Sequence, residues 1–208
     1  MGLNEFDFSP PKLDLPAHVD LYLQQMAPQV EHYRSKTTAG FRGFVPSDYV
    51  AFYSALSHVV DQRLACGSAF CEWGSGVGVS TCLAGMLGFD AAGIEFDGRL
   101  FRAAEQLAEE FNAEARFAHG SFLPAGVEDL IDAAFAENDG EISMVIESDD
   151  AYEQLGNELA DFDVVFCYPW PNDEEVTARV FDRFASVGAI LLTFDEYVGY
   201  RARRKSEI

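Results

Sequence analysis

Apolar positions recur along this chain with two periods, and the two alternate. Leu15, Val19, Leu23, Met26 and Val30 return near helical spacing, which predicts a helical lead-in over 14–34. Val45-Pro46-Ser47-Asp48-Tyr49 opens a second helix running to about Leu64, with Ser47 or Asp48 capping its first turn. From residue 69 onward, short apolar runs alternate with helical stretches. Strands are expected over 69–73, 91–95, 115–118, 163–168 and 187–194, and helices over 80–87, 97–112, 127–136 and 174–184. The helix over 97–112 has the clearest stripe (Leu100, Phe101, Ala104, Leu107, Ala108, Phe111), and Asp97 is its expected cap. Residues 36–43 read as a loop. The apolar run 142–146 has no secure place, an inserted strand being one option. The end, with Arg201, Arg203, Arg204 and Lys205, reads as a solvated basic tail.

The predicted strands are apolar throughout instead of alternating, so both faces of their sheet are covered. Strand and helix in turn then give an α/β fold: a Rossmann-like, doubly wound, mostly parallel sheet with helices on both faces. A version of the fold that lacks the usual final β-hairpin is one option. The length of 208 residues suits one well-packed domain, expected over 45–208. Residues 1–44 form the lead-in, either a lid built on Tyr33, Arg34 and Lys36 or, with more weight, a loose approach. Ligands of such sheets bind at the carboxyl ends of the strands. The turn after the first core strand, Glu95, Ser121 and Tyr168 all follow predicted strands, so they converge on one edge.

Charge narrows the partners. The formal net charge is −21, from 35 acidic and 14 basic residues, which disfavours nucleic acid and anionic membranes. Phe117 to Ala178 contains no Lys or Arg, so a basic ligand or protein would be steered there. General solubility is the weightier explanation, because the whole chain is poor in lysine. No apolar run reaches membrane-spanning length and residues 1–16 lack a signal-peptide core, so a cytoplasmic protein is expected. Cys66, Cys71, Cys82 and Cys167 form no Cys-x-x-Cys pair and read as small buried hydrophobes. With His18, His32, His58 and His119 scattered, no metal site is expected.

The candidate chemistry sits in Phe70-Cys71-Glu72-Trp73-Gly74-Ser75-Gly76-Val77-Gly78, followed by Gly93-Ile94-Glu95. Glycines let backbone bend sharply and approach a ligand. A carboxylate ending the next strand accepts the hydroxyls of a ribose. A phosphate-binding P-loop needs Gly-Lys-Ser/Thr, and no Lys follows. The dinucleotide fingerprint is Gly-x-Gly-x-x-Gly, whereas here the spacing is Gly-x-Gly-x-Gly, with Val79 in the third glycine's place. An NAD-dependent oxidoreductase is therefore the weaker alternative.

Glu72-Trp73-Gly74-Ser75-Gly76-Val77-Gly78 resembles the first motif of class I S-adenosylmethionine-dependent methyltransferases, in which the acid holds the cationic amino-acid end of the cofactor. Gly93-Ile94-Glu95-Phe96 resembles the second motif. The resemblance implies S-adenosyl-L-methionine as cofactor, with Glu72, Gly74, Ser75, Gly76, Gly78, Glu95, Phe96, Ser121 and Phe122 as its binding residues. Ser121 stands where the family often has Asp near the adenine. Phe166-Cys167-Tyr168-Pro169-Trp170-Pro171 falls in the fourth-motif position and departs from the Asn/Asp-Pro-Pro-Tyr of many nucleic-acid amine methylases. Tyr168 and Trp170 are the candidate catalytic residues, with pocket wall or core packing as equal readings, and no general base stands out. Trp73 reads as packing. The pattern covers about 45–194. It also resembles the small protein-lysine methyltransferases related to the mitochondrial ATP-synthase c-subunit enzyme, in which the final hairpin is missing or shortened. The implied reaction is methyl transfer to an unidentified acceptor, a basic protein side chain or a small molecule. A non-catalytic relative that keeps the fold is the alternative.

Overall fold

The computed structural model describes residues 2–35, 44–137, 150–170, 173–195 and 199–207. The strands are β1 (Gly2–Glu5), β2 (Ala69–Trp73), β3 (Asp90–Glu95), β4 (Ala115–His119), β5 (Val164–Cys167), β6 (Ile190–Asp195) and β7 (Gly199–Ser206). The helices are α1 (Ala17–Ser35), α2 (Tyr49–Asp61), α3 (Val79–Met86), α4 (Gly98–Glu110), α5 (Glu128–Glu137), α6 (Ala151–Leu155) and α7 (Glu174–Phe184). All seven strands join one sheet in the order β1-β7-β6-β5-β2-β3-β4. β6, β5, β2, β3 and β4 run parallel, β7 is antiparallel to β6, and β1 is antiparallel to β7. The chain moves outward from β2 to β3 and β4, then returns to β5 on the other side of β2. That reversal opens the crevice where α/β sheets bind ligands.

The continuous apolar strands are explained by cover on both faces. One core layer joins α1, α2, α3 and α4 to Phe70, Phe166, Ile190 and Leu192. The other joins α5, α6 and α7 to Cys71, Trp73, Val165 and Leu191. Alternate residues of β2 and β5 thus serve opposite cores. Local signals agree with the sequence at α2, where Asp48 Oδ1 accepts from Val50 N–H (3.1 Å) and Ala51 N–H (3.0 Å). Asp97 caps α4 by accepting from Arg99 N–H at 2.8 Å.

Three expectations need correction. The basic end is not a solvated tail: Gly199–Ser206 is a paired strand, with Lys205 buried and its ammonium donating to the Ala185 carbonyl. Arg201 pairs with Glu5 of β1. The question of the final hairpin is answered by this arrangement. β6 and β7 form an antiparallel pair, and the outermost position belongs to β1 from the other end of the chain. Cys71, Cys82 and Cys167 are buried, but Cys66 is exposed. From the lead-in, α1 buries Val19, Tyr22, Met26 and Val30 in the first core layer. The run 142–146 and Lys36 lie outside the described residues. Among the described residues, no helix is long and apolar enough to cross a membrane.

Candidate active site

The glycine turn is held to its neighbours by main-chain bonds before any side chain acts. Gly74 N–H and Ser75 N–H both donate to the Ile94 carbonyl, at 2.9 and 3.0 Å, and Gly78 N–H donates to the Ser75 carbonyl at 2.8 Å. The ends of β2 and β3 are thereby clamped together just where α3 begins. Gly120 N–H donates to the Glu95 carbonyl at 3.0 Å, which brings the turn after β4, and Ser121 with it, to the same edge.

The three glycines make room for different things. At Gly74 a Cβ would meet nothing within 4 Å, so its backbone faces open space. At Gly76 a Cβ would lie 2.9 Å from Phe44 Cδ2, inside the ring's contact distance. At Gly78, the N-cap of α3, it would lie 2.6 Å from Phe117 Cζ and 3.0 Å from Ala104 Cβ. Gly78 thus serves helix–sheet packing, and Gly74 alone of the three offers free backbone to a ligand.

Two carboxylates flank the turn. Glu72, 4 % exposed, points into the first core layer, where Thr81 Oγ1 donates to its Oε2 at 2.5 Å. Burial pushes its pKa up to about 8; hydrogen bonds from Thr81 and Ser80 pull the other way, and the charge of Glu95 adds to the rise. Glu95, 9 % exposed, accepts Gly76 N–H on Oε2 at 2.7 Å and Asp97 N–H on Oε1 at 2.8 Å. Burial raises its pKa too, opposed by those amides. Among the described residues, neither carboxylate pairs with a basic side chain. The charge of Glu72 reaches the phenols of Tyr49 and Tyr200, whose pKa values burial has already raised. The Ser75 hydroxyl is buried without a hydrogen-bond partner.

Other predicted residues lie farther from this centre or serve elsewhere. Phe96 is 45 % exposed, and its carbonyl faces His119 Nε2 at 3.0 Å. Ser121 is buried, its Oγ accepting Leu123 N–H at 3.2 Å. Phe122 packs on the opposite face of the sheet, stacked on Trp73 with centroids 4.8 Å apart. Trp73 is core, as expected, and donates from Nε1 to Tyr152 Oη at 3.0 Å. Tyr168, half-buried past the end of β5, packs edge-on against Phe194 at 5.3 Å. Trp170 is exposed. Sequence reasoning missed Thr81 and Phe44. Ser80-Thr81 is a polar pair in the first turn of an otherwise apolar helix, which is a signal that a buried acceptor faces it. Phe44 carries no signal in the sequence.

No family model and no curated protein matches this chain. Solved structures do. An RNA methyltransferase from Salinibacter ruber, in complex with S-adenosyl-L-homocysteine, superposes with TM-score 0.52 at 15 % identity, over 79 % of this chain and 95 % of that one. A putative O-methyltransferase from Klebsiella pneumoniae gives 0.48 at 16 % identity, over 87 % and 66 %. An O-methyltransferase from Bacillus cereus gives 0.48 at 13 % identity, over 87 % and 67 %. At 15 % identity the likeness to the Salinibacter structure is one of fold: this chain has the Rossmann-like α/β fold of class I S-adenosylmethionine-dependent methyltransferases.

Proposed function

We propose that this protein transfers a methyl group from S-adenosyl-L-methionine to a basic acceptor. One observation carries the reading: two buried carboxylates without cationic partners flank a glycine turn at the sheet's ligand-binding edge. Burying a carboxylate costs several kcal/mol unless a cation or donors compensate. Glu72 has the hydroxyls of Thr81 and Ser80 and the Thr81 amide as donors but no cation, so a cationic group at the turn would relieve it. The open face of Gly74 lets such a group approach. Both oxygens of Glu95 hold backbone amides, yet each retains acceptor capacity for a ribose hydroxyl.

When bound, S-adenosylmethionine supplies an electrophilic methyl on a sulfonium that leaves readily. The protein's work is alignment and exclusion of water. Glu72 would hold the ammonium end, Glu95 the ribose, and the turn after β4 the base. Tyr168, half-buried past the end of β5, and Phe194, half-buried near the end of β6 where it pairs with β7, would form an aromatic wall of the kind that holds a lysine ammonium. A lysine needs to lose a proton before it attacks, its ordinary pKa being about 10.4. The net charge of −21 opposes an RNA backbone and favours a basic polypeptide, in contrast to the Salinibacter enzyme's named substrate class.

Calorimetric titration with S-adenosylmethionine, S-adenosylhomocysteine and NAD tests the cofactor. The first two bind, and Glu95→Gln weakens them at least about tenfold, because its amide nitrogen would face a backbone N–H. Binding of NAD alone would falsify the reading. Tight binding with no transfer of labelled methyl to any protein, peptide or amine would point to a non-catalytic relative.

A further inference from the structure

Phe44 covers Gly76, the middle glycine of the turn. A Cβ on Gly76 would lie 2.9 Å from its Cδ2 and 3.6 Å from its Cζ, so the edge of the ring rests on the Gly76 backbone. The same residue's amide is the one donated to Glu95. Phe44 therefore stands against the middle glycine of the motif, the residue whose amide Glu95 holds. It is half-buried and belongs to the core layer formed by α1, α2 and α3. Four residues later Asp48 caps α2, which fixes the chain close behind the ring.

We propose that Phe44 is a positioning residue of the cofactor cleft. Its ring walls the Gly76 side of the turn and raises the affinity of the cleft for an S-adenosyl ligand. The inference rests on the cofactor proposed above and adds a residue that the motif does not contain. An apolar wall beside charge-assisted hydrogen bonds keeps water from competing for them, which strengthens each one. A phenyl ring suits the task, having few rotamers to lose and a large contact area. Gly76 stands at a positive φ of +56°, which already favours glycine, and a side chain there would also displace the wall.

The test is titration of S-adenosylhomocysteine into the wild type and into Phe44→Ala, Phe44→Leu and Phe44→Tyr, each first shown to be folded by circular dichroism. Removal of an aromatic contact of this kind costs about tenfold or more in affinity. Phe44→Ala is expected to lose that much, and Phe44→Tyr, which keeps the ring, to stay within about threefold of wild type. Phe44→Leu, which keeps much of the apolar bulk without the ring, is expected to fall between them. Unchanged or tighter binding by folded Phe44→Ala would overturn the proposal and leave the cofactor reading standing. A wild type that binds no S-adenosylhomocysteine would remove the cofactor reading itself.

Discussion

Glu72 and Glu95 are both acids at strand ends, but their neighbours give them different tasks. Glu95 is satisfied by two backbone amides and holds the turn in shape as well as facing the crevice. Glu72 keeps a proton to about pH 8 because burial outweighs the hydroxyls that donate to it. The sign follows from linkage. Below about 4.5 the group is protonated folded and unfolded alike; between there and about 8 the folded chain binds a proton that the unfolded chain has released. Its favourable contribution is complete below the lower value and is lost as pH rises through the upper one. The melting temperature of wild type minus that of Glu72→Gln should therefore fall between pH 5 and 8.5, on the order of the window just given. A flat difference would mean that water reaches the carboxylate. If the ammonium of the proposed cofactor meets Glu72, binding should release a proton near pH 7, read as a dependence of the titration enthalpy on buffer ionisation heat.

Among the elements, the turn from β2 into α3 separates backbone strain from packing. Gly74 and Gly78 both have positive φ, +74° and +81°, so alanine at either pays about 1–2 kcal/mol for the left-handed region. Only at Gly78 does the new Cβ also meet Phe117 and Ala104. Gly78→Ala should thus lower the urea midpoint clearly more than Gly74→Ala; equal losses would show that the α3–sheet contact is soft. At the start of α2, Asp48→Ala should cost about 1 kcal/mol, since Val50 and Ala51 lose their acceptor. The parallel strands and their helices were legible because burial on both faces writes continuous apolar runs. The carboxylates were legible because they end such runs. β7 was not, because Arg201, Arg203 and Lys205 alternate with Tyr200 and Ala202 on a strand where Glu5 takes the Arg201 guanidinium and a helix-end carbonyl takes the Lys205 ammonium. β1 has four residues, too few to carry a period. Phe44 meets Gly76 across 32 residues of chain, a contact no local pattern encodes.

For the molecule as a whole, the net charge bears on which acceptor the proposed transfer would use. A chain at −21 attracts polycations over roughly a Debye length, about 10 Å at 0.1 M salt and about 3 Å at 1 M. The described basic residues do little to offset this locally: Arg201, Arg116, Arg179 and Arg183 are each engaged with an acid, and Lys205 is buried. A lysine-rich peptide acceptor would gain encounter rate from that field, whereas a neutral small acceptor would gain nothing. The proposed cofactor is small, and its affinity would rest on short contacts at buried carboxylates. Raising sodium chloride from about 0.05 to 0.5 M should therefore increase KM for a Lys-rich peptide by about fivefold or more and leave S-adenosylhomocysteine binding within about twofold. If an accepted substrate shows no salt dependence, the acidic surface serves solubility, and the acceptor belongs among small molecules that reach the Tyr168 side of the crevice without steering.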